Sequence, residues 1–144
     1  MLGTEQRPQR VSTWIFIVCG VWLIGLGIYF MLLRPGLLPE DPRYIGSSLI
    51  EIRAALPGLE RWLNLVFGVM GGFMAAVGTL AAFVAVTAVP ARNRGTGAIL
   101  ALAGLLSVVT MSATNFAIDS DFKWLLLAPA LLWFAGVVCY LLRR

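Results

Sequence analysis

Four long stretches of the chain contain no charged residue, and they constrain the fold more than any other feature of the sequence. They are 23, 30, 24 and 19 residues long and cover residues 11–33, 62–91, 95–118 and 124–142. A hydrocarbon core about 30 Å thick is crossed by roughly 20 apolar residues in a helix, so each stretch is long enough to span it. The sequence therefore predicts an all-α membrane protein, a bundle of four transmembrane helices.

Composition agrees with a single membrane-embedded domain. Of the 144 residues, 60% are hydrophobic and 12% are charged, whereas about 25% are charged in a soluble domain. Too few polar residues remain to coat a soluble core that hides four such segments. We expect one domain, with an extracytoplasmic loop over 34–61 and spans over about 12–33, 62–89, 96–118 and 123–142.

The charges beside the spans predict the orientation. The N-terminal tail, the turn at 92–94 and the C-terminus lie on one side of the bundle and sum to a formal charge of +5. The 34–61 loop and the turn after the third span lie on the other side and sum to −1, and Lys and Arg alone divide six to five. Because basic residues concentrate in short cytoplasmic segments, we expect both termini in the cytoplasm.

Small residues four positions apart predict close contacts between helices. The second run holds three such sets: Gly68, Gly72 and Ala76; Gly71, Ala75 and Thr79; and Gly78 with Ala82. The third run also carries small residues on this kind of spacing, at intervals of four and then three: Gly97, Ala101, Gly104 and Ser107. Small side chains let helix backbones approach closely inside lipid. We therefore expect the second and third spans to form the tight pair, with self-association through the same faces as the alternative. A bend is expected at Pro129 in the fourth span.

The chain lacks the residues that several membrane chemistries require. It has no histidine, which excludes histidine ligation of haem or metal and Ser-His-Asp catalysis. No Asp, Glu, Lys or Arg lies inside a run, where ion-coupled transporters carry one. Cys19 and Cys139 form no Cys-x-x-Cys motif. The pI near 9.7 comes from arginines at the span ends. We expect no cofactor and no nucleic-acid partner.

Polar side chains gather at the end of the third span that lies on the side of the 34–61 loop. Ser107, Thr110 and Thr114 follow one face of the predicted helix, Asn115 lies on a neighbouring face, and Asn64 is expected at the same depth in the second span. These groups either form hydrogen bonds between helices, worth about 0.6 kcal/mol each, or line an outward-opening pocket framed by Asn64, Thr114 and Asn115.

The 34–61 loop is predicted to contain one short helix. Prolines at 35, 39 and 42 end the first span and favour an extended or turn path. Ser48 and Glu51 then match a capping box, which begins a helix that continues to about Leu56. A helix this short is unstable by itself. We expect it to lie on the membrane surface or to cover the outer end of the bundle, packed against the bundle or another protein.

Two acidic pairs lie on the loop side: Glu40 with Asp41, and Asp119 with Asp121. Carboxylates bind Ca²⁺ or Mg²⁺, but an isolated Asp-x-Asp lacks the number of ligands and the turn glycine of a calcium loop. The alternative is a network of salt bridges that anchors the loop. We predict no metal site, and we predict that Arg43 or Arg53 pairs with Asp119 or Asp121.

Three segments of the sequence resemble one known family. They are LLPEDPRY at 37–44, GGFM at 71–74 and MSATNF at 111–116. Together they resemble a family of small bacterial four-helix inner-membrane proteins with an LLPEDxRY-type loop. The resemblance implies a bacterial inner-membrane location and implies no activity or catalytic residue. A broader similarity to DoxX-type proteins is limited to size and topology.

Three functional hypotheses follow. The first is a non-enzymatic protein that binds a partner protein, or assists its assembly, through the 34–61 loop. The second is a binder or carrier of a small lipophilic molecule in the outer pocket. The third is an enzyme that uses outer carboxylates as acid or base. The lipid bilayer is the expected partner in each, with another membrane protein or a second copy in the first. The candidate binding residues are Glu40, Asp41, Arg43, Tyr44, Glu51, Arg53, Asn64, Thr114, Asn115, Asp119 and Asp121.

Overall fold

The structure is a computed structural model, and it describes residues 6–142, with side chains from residue 11 onward. Its helical elements, in chain order, are α1 (Gln6–Leu32), α2 (Glu40–Ile45), α3 (Leu49–Ala55), α4 (Leu59–Ala91), α5 (Thr96–Gly104), a π-helical turn (Leu105–Val109), α6 (Thr110–Ala117) and α7 (Lys123–Leu141). These described residues form no strand. The terminal charges that were used to predict the orientation, on residues 5, 7, 10, 143 and 144, lie outside the described side chains.

Within the described residues 6–142, four helical segments are long and apolar enough to cross a membrane. They are Val11–Leu32, Leu59–Ala91, Thr96–Ala117 and Lys123–Leu141. The third combines α5, the π-helical turn and α6, and we call it the third span. The predicted all-α four-helix membrane bundle is thereby confirmed. At 33 residues, α4 is about 50 Å long, so it must tilt or project beyond the hydrocarbon core.

Glycines of α1 and α4 interlock and make these two helices the most tightly packed pair. A Cβ placed on Gly20 would lie 2.7 Å from the carbonyl oxygen of Gly78, and one on Gly27 would lie 2.5 Å from that of Gly71. In both helices the two glycines are seven residues apart, the spacing that keeps one face against a partner helix in a left-handed pair. Dispersion contacts between the backbones stabilise the pair where lipid supplies no hydrophobic driving force.

The predicted pairing of the second and third spans is therefore wrong. Close backbone contact between α4 and the third span is sparse and lies mainly at a few residues of α5, the half that follows the connecting turn. The third span packs against α7 instead, and α7 packs against α1. The order around the bundle is α4, α1, α7 and the third span. Away from the connecting turn, α4 and the third span leave a groove between them.

The loop folds into two short helices rather than one. The capping box begins α3 as predicted, because the Ser48 hydroxyl accepts from the Glu51 N–H while the Glu51 carboxylate accepts from the Ser48 N–H. The extended path predicted around the prolines is wrong at Pro42, which lies inside α2. Pro42 is in the first turn of α2, where an amide N–H has no helical partner and a proline is tolerated.

The core centres on Trp133, a residue that the sequence analysis did not select. Its indole Nε1 donates to the carbonyl oxygen of Leu100 at 2.8 Å. Its ring meets the ring of Phe16 edge-to-face at 5.4 Å and covers Gly104, where a Cβ would overlap the indole. A buried tryptophan needs an acceptor for its N–H. Trp133 thus fixes the third span against α7.

Replacing Trp133 with phenylalanine should destabilise the bundle by about 2 kcal/mol, because it removes a buried hydrogen bond and leaves a void. Thermal unfolding in detergent, followed by circular dichroism, measures the change. Trp14 is exposed, so Trp14→Phe is the matched control and should shift stability by less than about 0.5 kcal/mol. Equal shifts in the two variants would contradict the assigned role of Trp133.

Candidate functional site

Two adjacent cavities lie in the half of the bundle nearest the 34–61 loop, and from here on we call the two together the groove. One has a volume of about 360 Å³ and lies between α1, α2, α6 and α7; we call it the polar cavity. The other has a volume of about 500 Å³ and lies between α1, α4 and the third span; we call it the lateral cavity. Both are lined by Phe30, Arg34, Met111, Asn115 and Ile118. These shared wall residues place the two cavities side by side.

The lateral cavity is apolar and opens sideways toward the lipid. Its walls include Phe67, Met70 and Met74, and its rims include Phe73 and Leu106, each 68% exposed. An acyl chain or a prenyl-type tail can therefore enter from the bilayer without crossing a polar barrier. Methionine side chains adapt to irregular apolar partners, which suits a wall that accepts a flexible chain.

Hydroxyl groups of the third span face the lateral cavity while bonding to their own helix. Ser107 donates to the carbonyl oxygen of Ala103, and Thr110 donates to that of Leu105 at 2.8 Å. The bond from Thr110 spans five residues and accompanies the π-helical turn. π-Helical turns recur at functional sites in helices. Ser107 and Thr110 therefore hydrogen-bond within the third span and do not join it to α4.

The polar cavity ends in charged and hydrogen-bonding groups. Its charged lining residues are Arg34, Glu40 and Asp41, and its further polar lining comes from Tyr29, Asn115 and Ser120. The remaining wall is apolar. An apolar pocket with a few convergent polar groups is the usual form of a small-molecule site, and such sites occupy about 300–1,000 Å³.

Arg34 stands where the two cavities join. Its side chain is only 9% exposed, and its Nη1 donates to the carbonyl oxygen of Pro35 at 2.9 Å. The guanidinium carbon lies 3.5 Å from the ring centroid of Phe67 and 5.3 Å from that of Phe30. A cation over aromatic faces is stabilised by the ring quadrupoles. The guanidinium is thus held at the level of the cavities instead of reaching outward.

Burial and neighbouring charge act on Arg34 in opposite directions. Burial lowers the pKa of Arg34, and the nearby groups of Asp41, Tyr29 and Glu40 raise it. The nearest oxygen of Asp41 lies 3.9 Å from Nη2. A guanidinium does not lose its proton in proteins, so Arg34 remains a cation. The groove therefore carries a fixed cation close to two carboxylates.

Glu40 connects α2 to the turn before α7. Its side chain is buried, with the residue 3% exposed, and its Oε1 accepts from the Ser120 hydroxyl at 3.2 Å. Ser120 is also buried, and its hydroxyl oxygen accepts from the N–H of Phe122. Asp41 is the next residue of the same helix and accepts from the N–H of Leu38 at 2.7 Å. These bonds hold both carboxylates at the end of the polar cavity.

A salt bridge on the outer surface reinforces this connection. Arg43 Nη2 lies 2.9 Å from an oxygen of Asp121 and also donates to the carbonyl oxygen of Asp119. The predicted pairing of Arg43 with Asp121 is confirmed. Arg53 instead pairs with Glu60, and Asp119 pairs with Lys123. Both side chains of the Arg43 pair are exposed, so water screens the pair and it contributes little to stability.

Glu51 provides a test of the loop structure by pH. The N–H of Ser48 and the hydroxyls of Ser47 and Ser48 lower the pKa of Glu51. A depressed carboxyl pKa adds stability above the unfolded value, and that stability is lost as the pH falls through the folded value, so α3 should loosen below about pH 4. Ser47→Ala should raise the pKa of Glu51 in a carboxyl NMR titration. An unchanged pKa in this variant would contradict the contact.

The structure brings some of the candidate residues together and separates others. Glu40, Asp41 and Asn115 line the polar cavity, and Thr114 and Asn115 line the lateral cavity. The remaining candidates lie outside both linings: Arg43, Tyr44, Glu51, Arg53, Asn64, Asp119 and Asp121. Asn64 lies beside Gly36, where a Cβ would be 3.1 Å from its Oδ1. Of the three residues predicted to frame the pocket, Thr114 and Asn115 therefore line a cavity and Asn64 does not.

Sequence analysis missed the importance of Arg34, Tyr29 and Ser120. Arg34 is the first charged residue after the first run, a position typical of arginines that extend to the membrane surface. Its retention in the groove depends on Phe67 of α4 and on Asp41 of α2. Ser120 carried no sequence feature beyond its place between two aspartates.

Comparison with protein-family models, with curated proteins and with solved structures finds no match. The resemblance of the 37–44, 71–74 and 111–116 segments to a bacterial inner-membrane family therefore stays a prediction. Function has to be argued from the groove itself.

Proposed function

We propose that this chain is a non-enzymatic integral membrane protein that binds one amphipathic lipophilic molecule in the groove. The apolar part of the molecule occupies the lateral cavity, and its polar end occupies the polar cavity. The charge pattern predicts both termini in the cytoplasm, and the resemblance of three segments implies a bacterial inner membrane, so the groove would belong to the outer leaflet.

One observation carries this proposal: an apolar groove that opens toward lipid ends at Arg34, Glu40 and Asp41. Any groove in a membrane protein contacts lipid, but an apolar surface alone does not select among lipids. Buried charges at its end do, because desolvated polar groups strongly disfavour a ligand that leaves them without partners. The groove therefore has the features of a selective site.

Filling the lateral cavity tests the proposal. Thr114 lines that cavity and is exposed, so the fold can accept a larger side chain there. Thr114→Trp should displace the bound molecule, seen as loss of a one-to-one adduct in native mass spectrometry after mild-detergent purification. The adjacent Ala113 is exposed and lines neither cavity, so Ala113→Trp should retain the adduct.

A wild-type protein that carries no one-to-one adduct, or an adduct that survives Thr114→Trp, would contradict the proposal. Unfolding temperatures of both tryptophan variants, measured in the same detergent, separate displacement of the ligand from loss of the fold.

Partner binding through the loop is the second candidate, supported by apolar side chains that the loop leaves uncovered. Ile50 is 80% exposed, and Tyr44, Ile45 and Leu56 are also exposed. If these residues bind a protein, the same mild-detergent preparation should contain a stoichiometric partner that Ile50→Asp removes. A lipid adduct without a protein partner would contradict this second candidate.

A further inference from the structure

We infer that the polar end of the bound molecule is a zwitterionic aminophospholipid head, with its phosphoryl group at Arg34 and its ammonium group at Glu40 and Asp41. This inference rests on the proposed function and names the class of ligand. It is argued from the order, the sign and the bonding capacity of the charged groups along the groove.

The order of charges along the groove matches the order of groups in such a lipid. Arg34 lines both cavities, whereas Glu40 and Asp41 line only the polar cavity. A molecule whose tail lies in the lateral cavity therefore meets the cation first and the carboxylates farther in. In an aminophospholipid the phosphoryl group follows the acyl chains and the ammonium group comes last. Each charge of the head thus lies next to the opposite charge of the protein.

The net charge of the lining argues against a purely anionic head. One guanidinium and two carboxylates give the lining a formal charge of −1. A head with a phosphoryl group and no cation would bond to Arg34 but would bring a second anion toward Glu40 and Asp41. Like charges brought together in a poorly solvated site cost several kcal/mol. An uncharged head, by contrast, would desolvate all three groups without pairing any of them.

The charged groups retain hydrogen-bonding capacity for a ligand. A guanidinium has five N–H donors and a carboxylate has about four acceptor sites. Arg34 donates to Pro35, Glu40 accepts from Ser120, and Asp41 accepts from Leu38. The remaining sites on the two carboxylates favour an ammonium that carries N–H donors over a quaternary ammonium, which has none.

Lipid titration of the full-length protein tests the inference. The detergent-purified chain, stripped of lipid, is titrated in native mass spectrometry with phosphatidylethanolamine, phosphatidylglycerol and phosphatidylcholine of identical acyl chains. We expect one phosphatidylethanolamine per chain, bound about tenfold more tightly than phosphatidylglycerol. Equal or weaker binding of phosphatidylethanolamine than of either other lipid, with one lipid still bound, would overturn the inference and leave the proposed function intact.

A charge variant identifies the groups responsible. Glu40→Gln should reduce the preference for phosphatidylethanolamine over phosphatidylglycerol to near unity while one lipid still binds. Asp41→Asn should also lower the preference for phosphatidylethanolamine. It replaces Glu40→Gln as the test if the Glu40→Gln variant does not fold. Glu51 is exposed and lies outside both linings, so Glu51→Gln is the control and should keep the wild-type preference.

Two results of these experiments would contradict different claims, the first about the ammonium group and the second about lipid binding itself. A preference unaffected by both Glu40→Gln and Asp41→Asn would overturn the assignment of the ammonium group to the carboxylates. Failure of every lipid to saturate at one per chain, or a one-to-one adduct that survives Thr114→Trp, would contradict the proposed function and the inference with it.

Discussion

Replacing Gly71 with alanine should destabilise the bundle by about 2 kcal/mol. The added Cβ would overlap the carbonyl oxygen of Gly27 and would lie 2.7 Å from Cγ of Met31 and 2.9 Å from its backbone nitrogen. Two of these three atoms are backbone, so relief requires α1 and α4 to separate. Separation weakens the dispersion contacts along the whole helix pair, since backbone proximity is the main attraction between helices in lipid.

The adjacent glycine supplies the control. A Cβ on Gly72 would meet nothing within 4 Å, so Gly72→Ala should be neutral or stabilising by up to about 1 kcal/mol through helix propensity. Both variants differ from the wild type by one methyl group in the same helix. Thermal unfolding in one detergent compares them, and equal unfolding temperatures would contradict the α1–α4 interface.

Replacing Arg34 with methionine should cost about 3 kcal/mol of stability and abolish one-to-one lipid binding. Removing one partner of a buried ion pair leaves the opposite charge without compensation, at a cost of about 3–5 kcal/mol, and partial exposure of Asp41 favours the lower value. The loss of Arg34 also removes the cation over Phe67. The two readouts are unfolding temperature and the lipid adduct in native mass spectrometry.

Two further variants separate charge from packing at this site. Asp41→Asn in the Arg34→Met background should restore part of the stability, because it removes one of the two uncompensated carboxylates, but it should not restore lipid binding. Arg43→Met, which breaks an exposed pair on the same side of the bundle, should leave the stability nearly unchanged and should retain the lipid. An Arg43→Met effect as large as that of Arg34→Met would contradict the special role of Arg34.

The four spans could be predicted from the sequence because their existence depends on one local property, a run of apolar residues as long as the membrane is thick. The start of α3 was predictable for a similar reason, since both capping partners, Ser48 and Glu51, lie within four residues of each other. Features that depend on residues close in sequence were recovered.

The choice of helix partner could not be predicted in this way. The small residues of α4 offer several faces, and spacing by four selects Gly68 and Gly72 as readily as Gly71. Contact with α1 selects the face of Gly71 and Gly78, because Gly20 and Gly27 repeat at the same interval of seven. Two helices have to be compared to find such a match, whereas the prediction examined each run by itself.

The site was predicted in part for the same physical reason. Polarity alone identified Glu40, Asp41, Thr114 and Asn115 as candidates, and they line the groove. Arg34 was not among the candidates, because an isolated arginine at a helix end usually extends toward water. Its actual position depends on Phe67, which is 33 residues away in the sequence and comes close only when α4 packs against α1.

The most direct test of the central claim compares the molecule in the groove with the lipid around the bundle. A benzophenone photo-crosslinker is placed in intact membranes at Met74, which lines the lateral cavity, or at Leu80, which is exposed on α4 outside both linings. Mass spectrometry then identifies the adducts. We predict one dominant lipid species at Met74 and the mixed composition of the bilayer at Leu80. The same mixture at both positions would contradict selective binding in the groove.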